Sequence, residues 1–259
     1  MHITYYFIIG TWRDFGCFKA SDFVKIPDKW CKLPYEVLAT LNVNPPTAYR
    51  LLKDFVPLKS GDLVVQNGAN SAVGRLVIQM ASIMGARTLN IVRDRPDFDA
   101  LAQELTALDP SGGAEVIKPD ELCKSQGNEA VLGLNCVGGG AVADMAKVMK
   151  SDGVIVTYGA MSRRPLTIPA APLIFQNLNF KGFWVSAWYK KTPIDSPDRT
   201  EMLENILNWY GEDRLRPVKS FFIDVSDTEN KAEAEIKEFM KYSCEGKALN
   251  KGKCIIRFT

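Results

Sequence analysis

The chain has a single histidine, His2. A zinc site of Cys and His ligands at the usual spacing is therefore unsupported, and so is a Ser-His-Asp triad. Six cysteines (Cys17, Cys31, Cys123, Cys136, Cys244 and Cys254) are scattered, and no two form a C-x-x-C pair. They read as free thiols in a reducing compartment. Neither sign of charge is in excess: 32 Lys and Arg face 30 Asp and Glu, for a net charge of +2. Nothing in that balance points to nucleic acid, a membrane surface or a polyanion as partner. No run is long and apolar enough to span a membrane. Tyr5 to Gly10 is too short for a signal-peptide core, no basic segment precedes it, and no transit peptide is visible. Internal repeats and low-complexity tracts are missing as well. So is a complete G-x-G-x-x-G fingerprint: counted back from Gly74, its first two glycine positions fall on Ala69 and Ser71.

What is present reads as an ordinary soluble globular protein. Its 259 residues can bury one good core or two smaller ones. The organising stretch runs from Asp62 to Gly74. The β-branched run Leu63-Val64-Val65 reads as a buried strand, a turn of small and polar residues follows, and Gly74 opens the apolar run Arg75 to Met84. Strand, tight turn and helix in that order place unpaired N–H groups and a positive dipole end where a phosphate can sit. Small turn residues let the backbone approach a pyrophosphate. An ordinary βα turn is the plainer alternative.

From this point strands and helices alternate. Strands are predicted at Leu63–Gln66, Thr88–Val92, Glu115–Ile117, Val131–Cys136, Val154–Tyr158 and, as a final apolar strand, Phe180–Trp188. Helices are predicted at Ser71–Met84, Asp97–Leu108 and Ala141–Met149, with a further one about Glu121–Glu129. The short spacing predicts an α/β protein with a doubly wound parallel sheet. Ligands of such sheets sit at the strands' carboxyl ends, here Asn67–Ser71, Arg93–Arg95, Val137–Gly140 and Tyr158–Met161. Upstream, Phe23–Pro27 reads as a strand, Tyr35–Leu41 as a short helix, and Thr47–Phe55 as a helix entered through Pro45 or Pro46. Downstream, helices Asp198–Tyr210 and Asn230–Tyr242 and strands Ser220–Val225 and Lys253–Phe258 break the rhythm. Both ends are therefore expected to form a second unit into which the nucleotide-type domain is inserted.

The second strand's end carries the sharpest chemical signal. A carboxylate about 20 residues after the glycine turn binds the ribose 2′-OH of NAD, and an arginine there accommodates the 2′-phosphate of NADP. The count from Gly74 reaches Arg93, with Asp94 and Arg95 beside it. Two arginines can grip a phosphate, Asp94 could take a ribose hydroxyl, and a solvated charge cluster at a strand end is the third reading. Asn44 lies in a tight Asn-Pro turn. Tyr158-Gly159-Ala160-Met161 lies where a nicotinamide could stack, and Tyr158 could equally be packed. Phe183-Trp184-Val185-Ser186 is apolar enough for core or interface, and Lys253 by itself is a surface lysine.

Several segments together carry a resemblance: Asn42-Val-Asn-Pro-Pro-Thr-Ala-Tyr49, Gln66-Asn-Gly-Ala-Asn-Ser-Ala-Val-Gly74, Asn90-Ile-Val-Arg-Asp-Arg-Pro-Asp97, Leu134-Asn-Cys-Val-Gly-Gly139, Val156-Thr-Tyr-Gly159 and Gly182-Phe-Trp184. The chain resembles the mitochondrial enoyl thioester reductases. These belong to the zinc-independent, quinone-oxidoreductase-like branch of the medium-chain dehydrogenase/reductase superfamily. The resemblance runs from Gly10 almost to the C-terminus, and Arg-Asp-Arg-Pro-Asp is its most specific piece.

The resemblance implies a Rossmann domain inserted in a catalytic domain with a GroES-like barrel. It implies that NADPH reduces a trans-2-enoyl thioester, carried on acyl-carrier protein or CoA, in mitochondria. It also implies a homodimer joined through the Rossmann sheets near Gly182–Trp188. Domain boundaries follow at 1–43 (remnant of the catalytic domain), 44–190 (NADPH-binding domain) and 191–259 (return to the catalytic domain). Family cofactor contacts fall on Asn44; on Asn70, Ser71, Ala72 and Val73; on Arg93, Asp94 and Arg95; on Tyr158, Gly159, Ala160 and Met161; on Phe183, Trp184, Val185 and Ser186; and on Lys253. Ala72 and Ala160 stand where the family often has glycine, and Asp109–Gly113 reads as a small loop insertion. The family carries most of its barrel, with a catalytic tyrosine, before the Gly-Thr-Trp motif, and this chain has nine unlike residues there. The expectation is an N-terminally truncated member with an incomplete barrel, no assigned catalytic residue, and weak or no turnover alone. A quinone or alkenal reductase, or a non-catalytic NADPH-binding fragment, are the alternatives.

Overall fold

The computed structural model describes residues 3–5, 17, 19, 23–124, 129–225, 230–244 and 252–258. The readings of Met1–Ile9 and Gly10–Gly16, apart from Ile3–Tyr5, lie outside them. The chain divides into two compact units, Met1–Pro45 with Glu204–Thr259, and Pro46–Leu203.

In the first unit β1 (Ile3–Tyr5) pairs antiparallel with β2 (Phe23–Lys25). A 3-10 turn, Asp28–Trp30, leads to α1 (Tyr35–Thr40); then comes α2 (Asn44–Lys53), of which Asn44 and Pro45 belong to this unit and Pro46 onward to the second. That helix starts three residues before the predicted Thr47, because Pro45 and Pro46 occupy its first turn, where their missing N–H groups lose no helical bond.

The second unit holds a six-stranded sheet. Its elements are β3 (Leu63–Asn67), α3 (Ala72–Ile83), β4 (Arg87–Ile91), α4 (Phe98–Thr106), β5 (Ala114–Ile117), β6 (Ala130–Asn135), α5 (Ala141–Ala146), β7 (Met149–Thr157), α6 (Ala170–Phe175), β8 (Asn179–Gly182) and α7 (Val185–Lys191). All pairings in the sheet are parallel, in the order β5-β4-β3-β6-β7-β8. Numbered from β3, that is the 3-2-1-4-5-6 order of a Rossmann sheet, whose strand order reverses between β3 and β6. The doubly wound expectation is borne out. Alternate strand residues feed two cores. Val65, Leu89, Ile91 and Ile155 pack with Val142, Met145 and Ala146 of α5. Ala69, Val92 and Ala114 pack with Ile78 of α3 and with Leu101 and Leu105 of α4.

Three elements differ from the sequence expectation. Helix α5 stops at Ala146, not Met149, because Met149 opens β7, pairs with Ala130 and is fully buried in the core. The final strand stops at Gly182, not Trp188. Val185 and Tyr189, four residues apart, are buried together on one face of α7, which is a helical spacing inside a run that also reads as a strand. Around Glu121 the chain forms a 3-10 helix, Pro119–Lys124.

Helix α8 (Pro197–Gly211) follows. Back in the first unit, β9 (Ser220–Val225), α9 (Asn230–Cys244) and β10 (Lys253–Phe258) form a parallel β-α-β crossover. Phe221 and Phe239 pack edge-on at 5.2 Å, and Arg257 Nε lies 2.6 Å from the Asp224 Oδ1 of its cross-strand partner. No helix among the described residues is long and apolar enough to cross a membrane.

Candidate functional site at the carboxyl ends of the strands

The turn between β3 and α3 is built by backbone constraints. Gly68 has φ +60°, and a Cβ there would stand 2.5 Å from Cys136 Sγ. Gly74 packs so closely that a Cβ would meet the Ala69 carbonyl oxygen at 2.6 Å. This is the glycine that lets helix and strand touch. Ser71 caps α3 by accepting from Gly74 N–H at 3.1 Å. The Ala72 and Val73 N–H groups stay outside the helical ladder, at its positive end. Asn70, Ser71, Ala72 and Val73 are all half-buried, within reach of a ligand.

A layer of buried amides that sequence reasoning missed fixes the floor. Asn67 donates to Asn135 Oδ1 at 2.8 Å, and Asn67 Oδ1 accepts from Cys136 N at 2.8 Å and Val137 N at 3.2 Å. Asn135 donates to Thr157 Oγ1 at 3.0 Å and accepts from Gly138 N at 3.0 Å. Gln66 donates to Asn90 Oδ1 at 2.7 Å and to the Gly74 carbonyl at 3.0 Å. These side chains tie the ends of β3, β4, β6 and β7 together across the switch point. Their signal was available: two apolar strands that each end in asparagine, Leu63–Asn67 and Ala130–Asn135.

The Arg93–Arg95 segment follows β4. Arg95 is held by Asp97, with Nη2 to Oδ2 at 2.8 Å and a second contact from Nε to Oδ1. Asp94 lies 2.7 Å from Lys118 Nζ. The hydrogen bond from Lys118 holds the Asp94 carboxyl below its ordinary pKa, as that from Arg95 does for Asp97. The exposed Arg93 guanidinium has no hydrogen bond or ion pair among the described residues.

Tyr158, Gly159, Ala160 and Met161 follow β7. Tyr158 N–H donates to Asn135 O at 2.9 Å, and Met161 N–H to Cys136 O at 2.9 Å. The Tyr158 hydroxyl is buried without a hydrogen-bond partner. Burial, with the Cys136 thiol beside it, pushes the phenol well above its ordinary pKa. Burial also pushes up the Cys136 thiol, whose Sγ lies 3.3 Å from Asn67 O and 3.7 Å from Met161 Sδ. Gly159 is half-buried, and Ala160 and Met161 are exposed.

Phe183 to Ser186 follow β8. Phe183 packs edge-on against Phe55 at 5.9 Å, and Trp184 is 61% exposed. Val185 and Ser186 turn inward, and Ser186 Oγ is buried without a partner. Asn44, the first residue of α2, and the exposed Lys253, the first of β10, belong to the other unit. The structure therefore brings four of the six predicted segments to one edge of the Rossmann sheet. Orphaned N–H groups, an unpaired Arg93 and an unsatisfied Tyr158 hydroxyl fit a phosphorylated dinucleotide. Among the described residues no three His, Cys, Asp or Glu side chains gather in a way that could hold a metal ion.

Residues 72–205 match the family model described as zinc-binding dehydrogenase. The mitochondrial enoyl-[acyl-carrier-protein] reductase of Caenorhabditis elegans is 44% identical over 205 residues, which span 78% of this chain and 57% of that protein. A mutant enoyl thioester reductase from Candida tropicalis superposes with a TM-score of 0.78 at 30% identity, covering 92% of this chain and 68% of that one. The complex of Etr1p with NADP and crotonyl-CoA superposes with a TM-score of 0.76 at 32% identity, covering 87% and 66%. An Etr1p/Etr2p heterodimer from Candida tropicalis has a TM-score of 0.76 at 31% identity, covering 87% and 66%. The chain spans little more than half the length of the C. elegans relative.

Proposed function

The chain belongs to the zinc-binding dehydrogenase family, among the enoyl thioester reductases, and from that premise we propose that it serves the NADPH-dependent reduction of trans-2-enoyl thioesters. The observation that carries the proposal is the uncommitted Arg93 guanidinium at the end of β4, beside a capped, glycine-packed helix start. When bound, NADPH supplies the hydride for the β-carbon of the enoyl group. The chain's own part is to bind and orient. The Ala72 and Val73 N–H groups hold the pyrophosphate, and Arg93 takes the 2′-phosphate. Asp94, held by Lys118, and Arg95, held by Asp97, shape the pocket around that phosphate. The buried Tyr158 hydroxyl lies beside Cys136 and Ser71, and Met161 with Phe183 and Trp184 lines the wall on which a nicotinamide would lie. No side chain among the described residues is assigned to proton transfer.

The substrate we propose is an enoyl group on acyl-carrier protein or CoA, as in the names of the relatives, with mitochondria as the site of action. We propose further that two copies pair through the Rossmann sheet. Support comes from β8, an edge strand, and from the exposed Leu173, Ile174 and Phe175 on α6 (45%, 69% and 81% exposed). An exposed apolar run and an open strand edge are both features of association surfaces.

The test is a titration of the purified chain with NADPH and NADH read by nicotinamide fluorescence, followed by an assay of crotonyl-CoA and quinone reduction. NADPH-selective binding is expected, with crotonyl-CoA the preferred acceptor of any turnover. Binding of neither nucleotide, or quinone as the preferred acceptor, would sink the proposal.

A further inference from the structure

In the unit Pro46–Leu203, most arginines are committed. Arg50 lies on Asp54, Arg75 on Glu104, Arg87 on Glu129 and Arg95 on Asp97, while Arg199 donates to the Tyr189 carbonyl. Three guanidinium groups have no hydrogen bond or ion pair among the described residues: Arg93, Arg163 and Arg164. All three are exposed, and all three follow the carboxyl end of a strand. Exposed charges scattered at random would not gather on the ligand side of the sheet.

Arg163 and Arg164 are also held in place. Met161 N–H donates to Cys136 O at 2.9 Å, Ser162 N–H to Val137 O at 2.8 Å, and Thr167 N–H to Gly139 O at 3.2 Å. These bonds lay the loop after β7 along the turn after β6. Arg163 sits in the left-handed region at φ +55°, with its N–H on Ala160 O at 2.9 Å. A non-glycine residue there costs about 1 kcal/mol, and such strain gathers at functional sites. Below it, Gly138 and Gly139 also have positive φ, and the Arg164 stem covers Gly139.

One phosphate cannot serve both places. Strands β4 and β7 are three steps apart in the sheet, about 14 Å at the usual spacing. A 2′-phosphate on Arg93 leaves the second pair for another anion, on the side of the switch point next to Tyr158–Met161. We propose that Arg163 and Arg164 form a second anion site that takes the phosphate on the pantetheine arm of the thioester carrier. This rests on the enoyl thioester function and deepens it. The arm phosphate is common to CoA and to a carrier protein, and a planar guanidinium pair suits it.

The purified chain is titrated with NADPH, CoA, 4′-phosphopantetheine and pantetheine, alongside the Arg163→Gly/Arg164→Ala variant, in which glycine keeps the left-handed turn. The variant is expected to bind CoA and 4′-phosphopantetheine about tenfold more weakly, with a shallower salt dependence. Its pantetheine and NADPH affinities should not change. Unchanged 4′-phosphopantetheine binding with weakened CoA binding would move the arginines to the adenosine phosphates and overturn the arm assignment. Lost NADPH binding in the variant would put them on the cofactor and overturn it too. A wild-type chain that binds NADPH but not CoA refutes the second site alone, and one that binds neither refutes the reductase function as well.

Discussion

At the scale of single residues the candidate site turns on which charges are already paired. Arg93 and Arg95 look equivalent in sequence, yet Asp97 grips Arg95 in a fork while Arg93 stays open. Arg93→Ala is therefore expected to weaken NADPH about tenfold relative to NADH. Arg95→Ala should change that ratio less, because it removes a group that already has a carboxylate partner. Equal losses of selectivity in the two variants, measured by nicotinamide fluorescence, would show that the Arg95–Asp97 fork opens on binding. The pairing itself was not legible in the sequence. Arg93, Asp94, Arg95 and Asp97 are neighbours in a loop, where no period says which side chain meets which. Gly74 was legible, because only its place at the end of a small-residue turn matters. Gly68 was not, since the Cys136 side chain that leaves no room for a Cβ there comes from the end of another strand.

At the scale of elements, the strand–turn–helix unit of β3 and α3 governs the site. Gly74→Val would force a side chain into the Ala69 backbone, where even a Cβ stands at 2.6 Å. Overpacking of this kind costs about 1–3 kcal/mol. It would also tilt the start of α3, so loss of NADPH binding should accompany a lower urea midpoint. Retained binding at wild-type affinity would mean that the helix start is not where the pyrophosphate rests. The order of strands and helices in this unit was readable because their apolar runs are bounded by Gly61, Gly85 and Gly138–Gly140. Trp188 was misplaced for a physical reason: Phe180 to Trp188 is mostly apolar, broken by Lys181 and Ser186, and such a short run has no clear period of its own. Only burial of Val185 with Tyr189 resolves it as helix. The amide layer was half legible, as asparagine at the ends of two strands, but its cross-strand bonds need the parallel register to be seen.

At the scale of the whole molecule, the open edge of the sheet matters most. Among the described residues β8 has no neighbour on its outer side, and α6 exposes Ile174 and Phe175 close to it in sequence. If two copies join there, Phe175→Glu should shift the protein toward monomer in sedimentation equilibrium without unfolding the sheet, since Phe175 is 81% exposed and contributes little to the core. A wild-type chain that is already monomeric at high micromolar concentration, or a variant that stays dimeric, would reject that face.

The division into units has a consequence for how the protein is made. Pro46–Leu203 is one uninterrupted stretch, so the ribosome delivers everything its sheet needs before residue 204 is synthesised. The other unit draws on Met1–Pro45 and Glu204–Thr259, and β9 cannot find its parallel partner until Lys253–Phe258 exists. Domains generally fold as units during synthesis. The unit Pro46–Leu203 can therefore be ready while β9 still waits for its parallel partner, β10. That interval is when a chaperone has the most to protect.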